Sequence, residues 1–379
     1  MTSYRALGIR PVVNAAATLT RLGGSRLAAP AVEAMACGAS EFVDLLELRD
    51  RIGDRIAELT GNAAAFVTSG ASAGITLSVA GCLADDLEAF PADGTVVMAR
   101  AQRNHYDYAA RQLGARIAEF SDTASLGAVL DGAACVLWFA GAHYPEGPVP
   151  LAEIVAAAHE RNVQVLVDAA AQVPPIASLW RFTVELGVDA AIFSGGKGLR
   201  GPQATGLVLG TAAIVAGCRR HASPEHAVGR GMKVGKEELL GLLAAVEWSL
   251  GQDEAALIQS YEDTVERWVK ALATVPGVRA ERGYPSEAGQ PHGRALLWLD
   301  ESTGWTHESL VDALWDRDPR IAVGSAGDAI ALNPQTLDPG EDRLVLDAIL
   351  SLLGRAWGGK HPGSAPNQDG SSTPRTTGP

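Results

Sequence analysis

The sequence predicts an α/β fold. It has a mixed, mostly parallel seven-stranded sheet covered by helices on both faces, followed by a small C-terminal α+β domain. Three observations carry this expectation. Short, almost wholly apolar segments alternate with amphipathic ones as far as residue 210. The alternation gives way to a different pattern after Pro276. The chain, at 379 residues, is long enough to bury more than one core.

The apolar segments lie at 63–67, 95–99, 115–119, 134–139, 163–167, 188–193 and 206–209. Near-continuous hydrophobicity is what burial on both faces of a sheet requires, and intervening helices make the strands largely parallel. LAEIVAAAHER at 151–161 shows the helical period, with Leu151, Ile154, Val155 and Ala158 on one face. Helices are also expected at 31–60 and 235–275. After Pro276 the pattern reads RALLWLD (294–300), a helix at 306–317, RIAV (320–323), AIAL (329–332) and a helix at 340–355. The expected organisation is a mostly irregular N-terminal arm (1–30), a large domain (31–275), a small domain (276–356) and a disordered tail (357–379) rich in Gly, Pro, Ser and Thr.

Composition narrows the function. The formal net charge of −13 argues against a partner held by phosphate neutralisation, such as a nucleic acid. The four cysteines, Cys37, Cys82, Cys135 and Cys218, have neither metal-ligand nor redox spacing, so no metal site is expected. Three of them lie in apolar or small-residue surroundings, and the four read as buried, reduced thiols of a cytoplasmic protein. No apolar run of about 18 residues is present, so no membrane span is expected, and the N-terminus lacks a signal-peptide pattern.

Four segments carry chemistry. In SGGKGLRGPQ (194–203), Lys197 follows an apolar strand and sits among Gly195, Gly196 and Gly198. A flat cofactor can approach such a lysine closely, and desolvation favours the neutral amine that forms an imine. The Walker spacing G-x-x-x-x-G-K-[ST] is absent. In VLVDAAAQ (165–172), Asp168 ends a strand, where α/β ligands bind. A carboxylate there can keep a pyridine nitrogen protonated. In FVTSGASAG (66–74), Ser69, Gly70, Ala71 and Ser72 open a helix whose free N–H groups suit a phosphate. In RNHYDYA (103–109), His105 or Tyr106 can stack on a ring. Each segment also has an ordinary structural reading: a surface lysine, an N-cap aspartate, a capped helix, loop packing. Their order selects the functional one, because these are the parts of the aspartate-aminotransferase-like fold in chain order. A dinucleotide site is disfavoured because TSGASAG is not G-x-G-x-x-G.

The blocks VVNAAATLTRLGGS (12–25), VTSGASAG (67–74), RNHYDYAARQLGA (103–115), VDAAAQVPP (167–175), FSGGKGLRGPQATG (193–206) and GRGMKVGKEE (229–238) resemble one group over about residues 4–355. These are the fold-type I pyridoxal 5'-phosphate (PLP) proteins related to selenocysteine synthase (L-seryl-tRNA(Sec) selenium transferase). D-Glucosaminate-6-phosphate ammonia-lyase and an oxygen-using monooxygenase-decarboxylase also belong to the group. The resemblance implies that Lys197 is the Schiff-base lysine and that Asp168 pairs with the pyridine nitrogen. It places Ser69, Gly70, Ala71 and Ser194 at the phosphate, His105 near the ring face, and Gln172 towards the phenolic oxygen. It implies a homodimer or larger homo-oligomer with shared sites, which Arg230 and Lys233 would reach from the neighbouring subunit. Ala17 stands where the group usually has Gly, and Gly231 where Pro is common.

The implied function is that of a PLP-dependent enzyme acting at Cα of an amino acid or amino sugar acid. Elimination of the ammonia-lyase type leads. Oxidative decarboxylation, racemisation and transamination are the alternatives, and Arg21 and Arg320 are candidate carboxylate ligands by location. tRNA is not expected as a substrate, because the chain starts almost directly at the catalytic core. A non-catalytic PLP-fold regulator is the competing class, but no DNA-binding segment accompanies the retained Lys197 and Asp168.

Overall fold

Two sheets organise the chain in the computed structural model, which describes residues 2–144, 147 and 149–358. Strand β1 (Val12–Ala15) precedes helices α1 (Ala29–Gly38) and α2 (Leu45–Thr60). Strands and helices then alternate through β2 (Ala64–Thr68), α3 (Ala71–Leu83), β3 (Thr95–Ala99), α4 (Tyr108–Arg111), β4 (Arg116–Phe120), α5 (Thr123–Leu130) and β5 (Cys135–Phe139). The series continues with α6 (Leu151–His159), β6 (Gln164–Asp168), α7 (Ser178–Trp180), β7 (Ala190–Ser194), β8 (Gly206–Gly210) and α8 (Ala212–His221). Helices α9 (Lys236–Leu250) and α10 (Glu254–Leu272) lead to β9 (Val278–Gly283), β10 (Arg294–Leu299), α11 (His307–Trp315), β11 (Arg320–Ala326), β12 (Ala329–Leu332) and α12 (Glu341–Gly358).

The first sheet has seven strands in the order β2-β8-β7-β6-β5-β3-β4. Only β8 runs antiparallel to its neighbours. Alternate residues of each strand feed two separate cores. Val136, Val165, Val167, Ala191 and Phe193 pack on one face, and Leu137, Phe139, Leu166, Ala190 and Ile192 on the other. This two-sided burial explains why the strands read as unbroken apolar runs. The second sheet has the order β1-β11-β12-β10-β9, and β1 reaches it from the N-terminal arm, pairing parallel with β11.

Two expected helices are each broken in two. The 31–60 segment divides at 39–44, where the Asp44 side chain accepts from the N–H groups of Leu46 and Glu47 at 2.9 and 3.0 Å and starts α2 afresh. The 235–275 segment divides at 251–253, where Asp253 accepts from the Ala256 N–H at 3.0 Å. Capping of this kind competes with helix continuation. Of the tail expected at 357–379, residues 357–358 close α12 and 359–379 lie outside the described residues. No helix among the described residues is long and apolar enough to cross a membrane.

Candidate active site

Strands β2, β5, β6 and β7 point their carboxyl ends at one cavity of about 440 Å³, where ligands of open α/β sheets bind. Its wall includes Gly70, Ala71 and Ser72 after β2, Gly141 to Tyr144 after β5 with residue 142 set back, Asp168 at the end of β6, and Ser194, Gly196 and Lys197 after β7. Thr18 and Gln203 complete it, with Glu287 from the loop between β9 and β10.

Lys197 sits in a turn held by backbone contacts. The Ser25 hydroxyl donates to the Lys197 carbonyl at 2.6 Å and faces the Gly196 carbonyl at 3.0 Å, and the Arg200 N–H donates back to the Lys197 carbonyl at 3.0 Å. The flanking glycines are there for close approach. A Cβ on Gly198 would stand 1.9 Å from the Val173 carbonyl oxygen, and one on Gly196 2.4 Å from the Gln203 Cα. Any side chain at either position would push the lysine out of register.

Asp168 lies beside Ile192 of β7 and Phe139 of β5 in the sheet register. Burial pushes its carboxyl above the ordinary value, while the Ala170 N–H, donating at 2.9 Å, and the Lys197 charge pull it down. It makes no ion pair within 4 Å among the described residues, so a cationic group beside it would relieve the burial cost. Tyr144, on the same wall, is pushed up to about 12, first by burial and then by the charges of Asp168 and Tyr106. It stays protonated and can donate.

The N-terminus of α3 opens on this cavity. Gly70 occupies its N-cap position with φ +96°, a conformation that favours glycine, and no side chain caps the helix. The first-turn N–H groups and the nearby Ser72 and Ser194 form an anion cradle. A lysine, a half-buried carboxylate without an ion pair and an uncapped helix end thus line one cavity, which fits PLP.

Several expected residues stand elsewhere. His105 is exposed and does not line the cavity, whereas Tyr106 does. Ser69 precedes the lining residues without joining them. Gln172 donates its amide to the Ala288 carbonyl at 2.9 Å. Arg21 and Arg320 both stack on Trp315, at 5.5 and 4.6 Å from the ring centroid, so neither points into the site. Arg230 and Lys233 are exposed and outside the cavity of their own chain. Ala17, beside Thr18, has φ +64°, a conformation that favours glycine. His143, Tyr144 and Glu287 were not anticipated. They lie in segments without a motif, and only the fold brings them to the cavity.

The family model for class-V aminotransferases matches residues 66–221. A 5'-C-glycyluridine monooxygenase-decarboxylase of a Streptomyces species is 32% identical over 92% of this chain and 92% of its own length. The D-glucosaminate-6-phosphate ammonia lyase of Salmonella typhimurium is 27% identical over 93% of this chain and 98% of its own. A solved structure of a D-glucosaminate-6-phosphate ammonia-lyase superposes with a TM-score of 0.78, covering 94% of this chain and all of that one. The L-seryl-tRNA(Sec) selenium transferase of Moorella thermoacetica is 30% identical over 47% of this chain and 41% of its own.

Proposed function

This chain belongs to the fold-type I PLP-dependent enzymes of the class-V aminotransferase family, and from that premise we propose that it breaks a bond at Cα of a hydroxyl-bearing amino acid or amino sugar acid. One observation carries the reading: Lys197, Asp168 and the uncapped start of α3 line the same cavity.

When bound, the cofactor supplies an aldehyde for amines and an electron-withdrawing ring for charge developing at Cα. Lys197 would hold it through Nζ, and the same amine, when free, would accept the α-proton. Asp168 holds a proton on the ring nitrogen. The N–H groups of Ala71 and Ser72, with the Ser194 hydroxyl, hold the phosphate, and Ser69 and Gly70 shape that turn. Tyr106, which lines the cavity, would stack on the ring. Tyr144, protonated across the working pH range, donates to a leaving hydroxyl. Loss of the α-proton and of a β-hydroxyl as water would leave an enamine, whose imine tautomer takes up one water on hydrolysis, so the net products are ammonia and a 2-oxo acid.

Oxidative decarboxylation is the second reading, favoured by the 32% identity to the monooxygenase-decarboxylase. In that case the α-carboxylate leaves as CO2 and dioxygen is consumed. The same proposal includes a homodimer with shared sites. Exposed Phe42, Val43, Leu45 and Leu46 support a partner surface, and Lys233 flanks a groove containing Leu45 and Leu46. Arg230 and Lys233 would serve the neighbouring site. Four free cysteines support a cytoplasmic location.

The test is a screen of amino acids and amino sugar acids on the PLP-loaded protein, following ammonia, CO2, dioxygen and 2-oxo acids. Ammonia and 2-oxo acid without dioxygen uptake support elimination. CO2 with dioxygen uptake supports the second reading. Exchange of the α-proton alone overturns both.

A further inference from the structure

We infer that Glu287 selects the substrate, accepting a hydrogen bond from a hydroxyl or ammonium group remote from Cα. The enzyme therefore prefers a remote end that carries a hydrogen-bond donor, neutral or cationic, to an anionic one. This inference deepens the proposed function and rests on it.

The loop between β9 and β10 is pinned on both sides of Glu287. The Gln172 amide donates to the Ala288 carbonyl at 2.9 Å, the Gln290 amide to the Ala171 carbonyl at 2.9 Å, and the Asn333 amide to the Ser286 hydroxyl at 2.9 Å. The head of Glu287 receives nothing comparable. Its Oε2 is buried without a hydrogen-bond partner, and the basic side chain that comes within 4 Å of Oε1 is His143, with Nε2 at 3.9 Å, beyond hydrogen-bond range. Arg294 feels the Glu287 charge but makes no ion pair with it, and its own Nε also lacks a partner.

The side chain is 27% exposed, so one oxygen still reaches the cavity, but a buried acceptor such as Oε2 left without a donor is costly, and native structures rarely tolerate one without a use. The backbone is held while the head group is left free, and the head group faces the cavity that contains Lys197. A carboxylate only accepts, so the missing partner is a donor. Beyond Lys197, His143 is the only other basic side chain that this chain itself places on the cavity wall among the described residues; Arg230 and Lys233, proposed to reach the site from a neighbouring subunit, are outside the cavity of their own chain. A remote phosphate or carboxylate would meet Glu287 as a like charge, which disfavours that ligand class.

The experiment uses the PLP-loaded protein with D-glucosaminate and D-glucosaminate 6-phosphate as probes. Binding is read by calorimetry and by the change in cofactor absorbance. Wild type is expected to bind the unphosphorylated probe at least about tenfold more tightly, the scale of one charge-assisted hydrogen bond. Glu287→Gln is isosteric, and its fold is checked by its melting curve. It should lose about that factor for the unphosphorylated probe and gain for the phosphorylated one. Equal or tighter binding of the phosphorylated probe by wild type overturns the inference. So does failure to bind either probe, or an unchanged ratio in Glu287→Gln. A protein that takes up no PLP overturns the proposed function and this inference with it. A coloured protein that prefers the phosphate overturns the inference alone.

Discussion

The side-chain amide of Gln172 lies 2.9 Å from the carbonyl oxygen of Ala288, a residue 116 positions away, and donates to it. Gln290 makes the reciprocal contact to Ala171. Together they clamp the loop between β9 and β10 onto the segment after β6, next to Asp168. Gln172→Ala should cost about 1 kcal/mol, the usual worth of such a bond, in urea unfolding. Because the loop bears Glu287, KM should rise more than kcat falls. Unchanged stability and KM would show that the clamp is incidental.

Lys197→Ala should abolish the visible absorbance of lysine-bound PLP and lower kcat by at least about a hundredfold, the low end for losing a proton-transfer group. In wild type, borohydride reduction should fix the cofactor mass on the peptide containing residue 197. Its appearance on any other lysine would end the assignment.

The raised carboxyl of Asp168 has a stability consequence. It binds its proton more tightly in the folded chain than in the unfolded one. Folding is therefore penalised as pH rises through the ordinary carboxylate range, and the penalty is complete above the folded value. Asp168→Asn removes it. The cofactor-free variant should melt higher than wild type at neutral pH, with the gap closing as pH falls below about 4. In the PLP-loaded protein the gain should shrink, because a ring cation already compensates the charge. Turnover should drop at least about a hundredfold. A cofactor-free variant no more stable than wild type contradicts the burial argument.

Gly198→Ala places a methyl group 1.9 Å from the Val173 carbonyl oxygen. Overpacking against backbone should cost about 3 kcal/mol in denaturant titration, and the displaced Lys197 should bind PLP more weakly. Gly231→Ala, where a Cβ meets nothing within 4 Å, is the matched control and should be nearly neutral.

Thiol reactivity should follow burial. Cys37 is exposed, whereas Cys218 is buried and pushed up to about 12 by desolvation. Iodoacetamide at pH about 8, near the ordinary thiol range, should label Cys37 first and leave Cys218 unmodified until the protein unfolds. Mass spectrometry of the peptides checks this order, and early labelling of Cys218 would contradict the packing around it.

The seven strands of the first sheet and the turn bearing Lys197 were legible from the amino acids alone. Their signals are local: apolar runs set by two-sided burial, glycines where backbones touch, a carboxylate and a lysine at strand ends. Other features depended on partners far along the chain. The presence of Tyr106 rather than His105 on the cavity wall, the turning of Gln172 towards Ala288, the stacking of Arg21 and Arg320 on Trp315, and the pairing of β1 with β11 were decided only in three dimensions. Glu287 had no local mark at all. Where a side chain points depends on what packs against it, and for these residues the packing partners come from distant segments that only folding brings together.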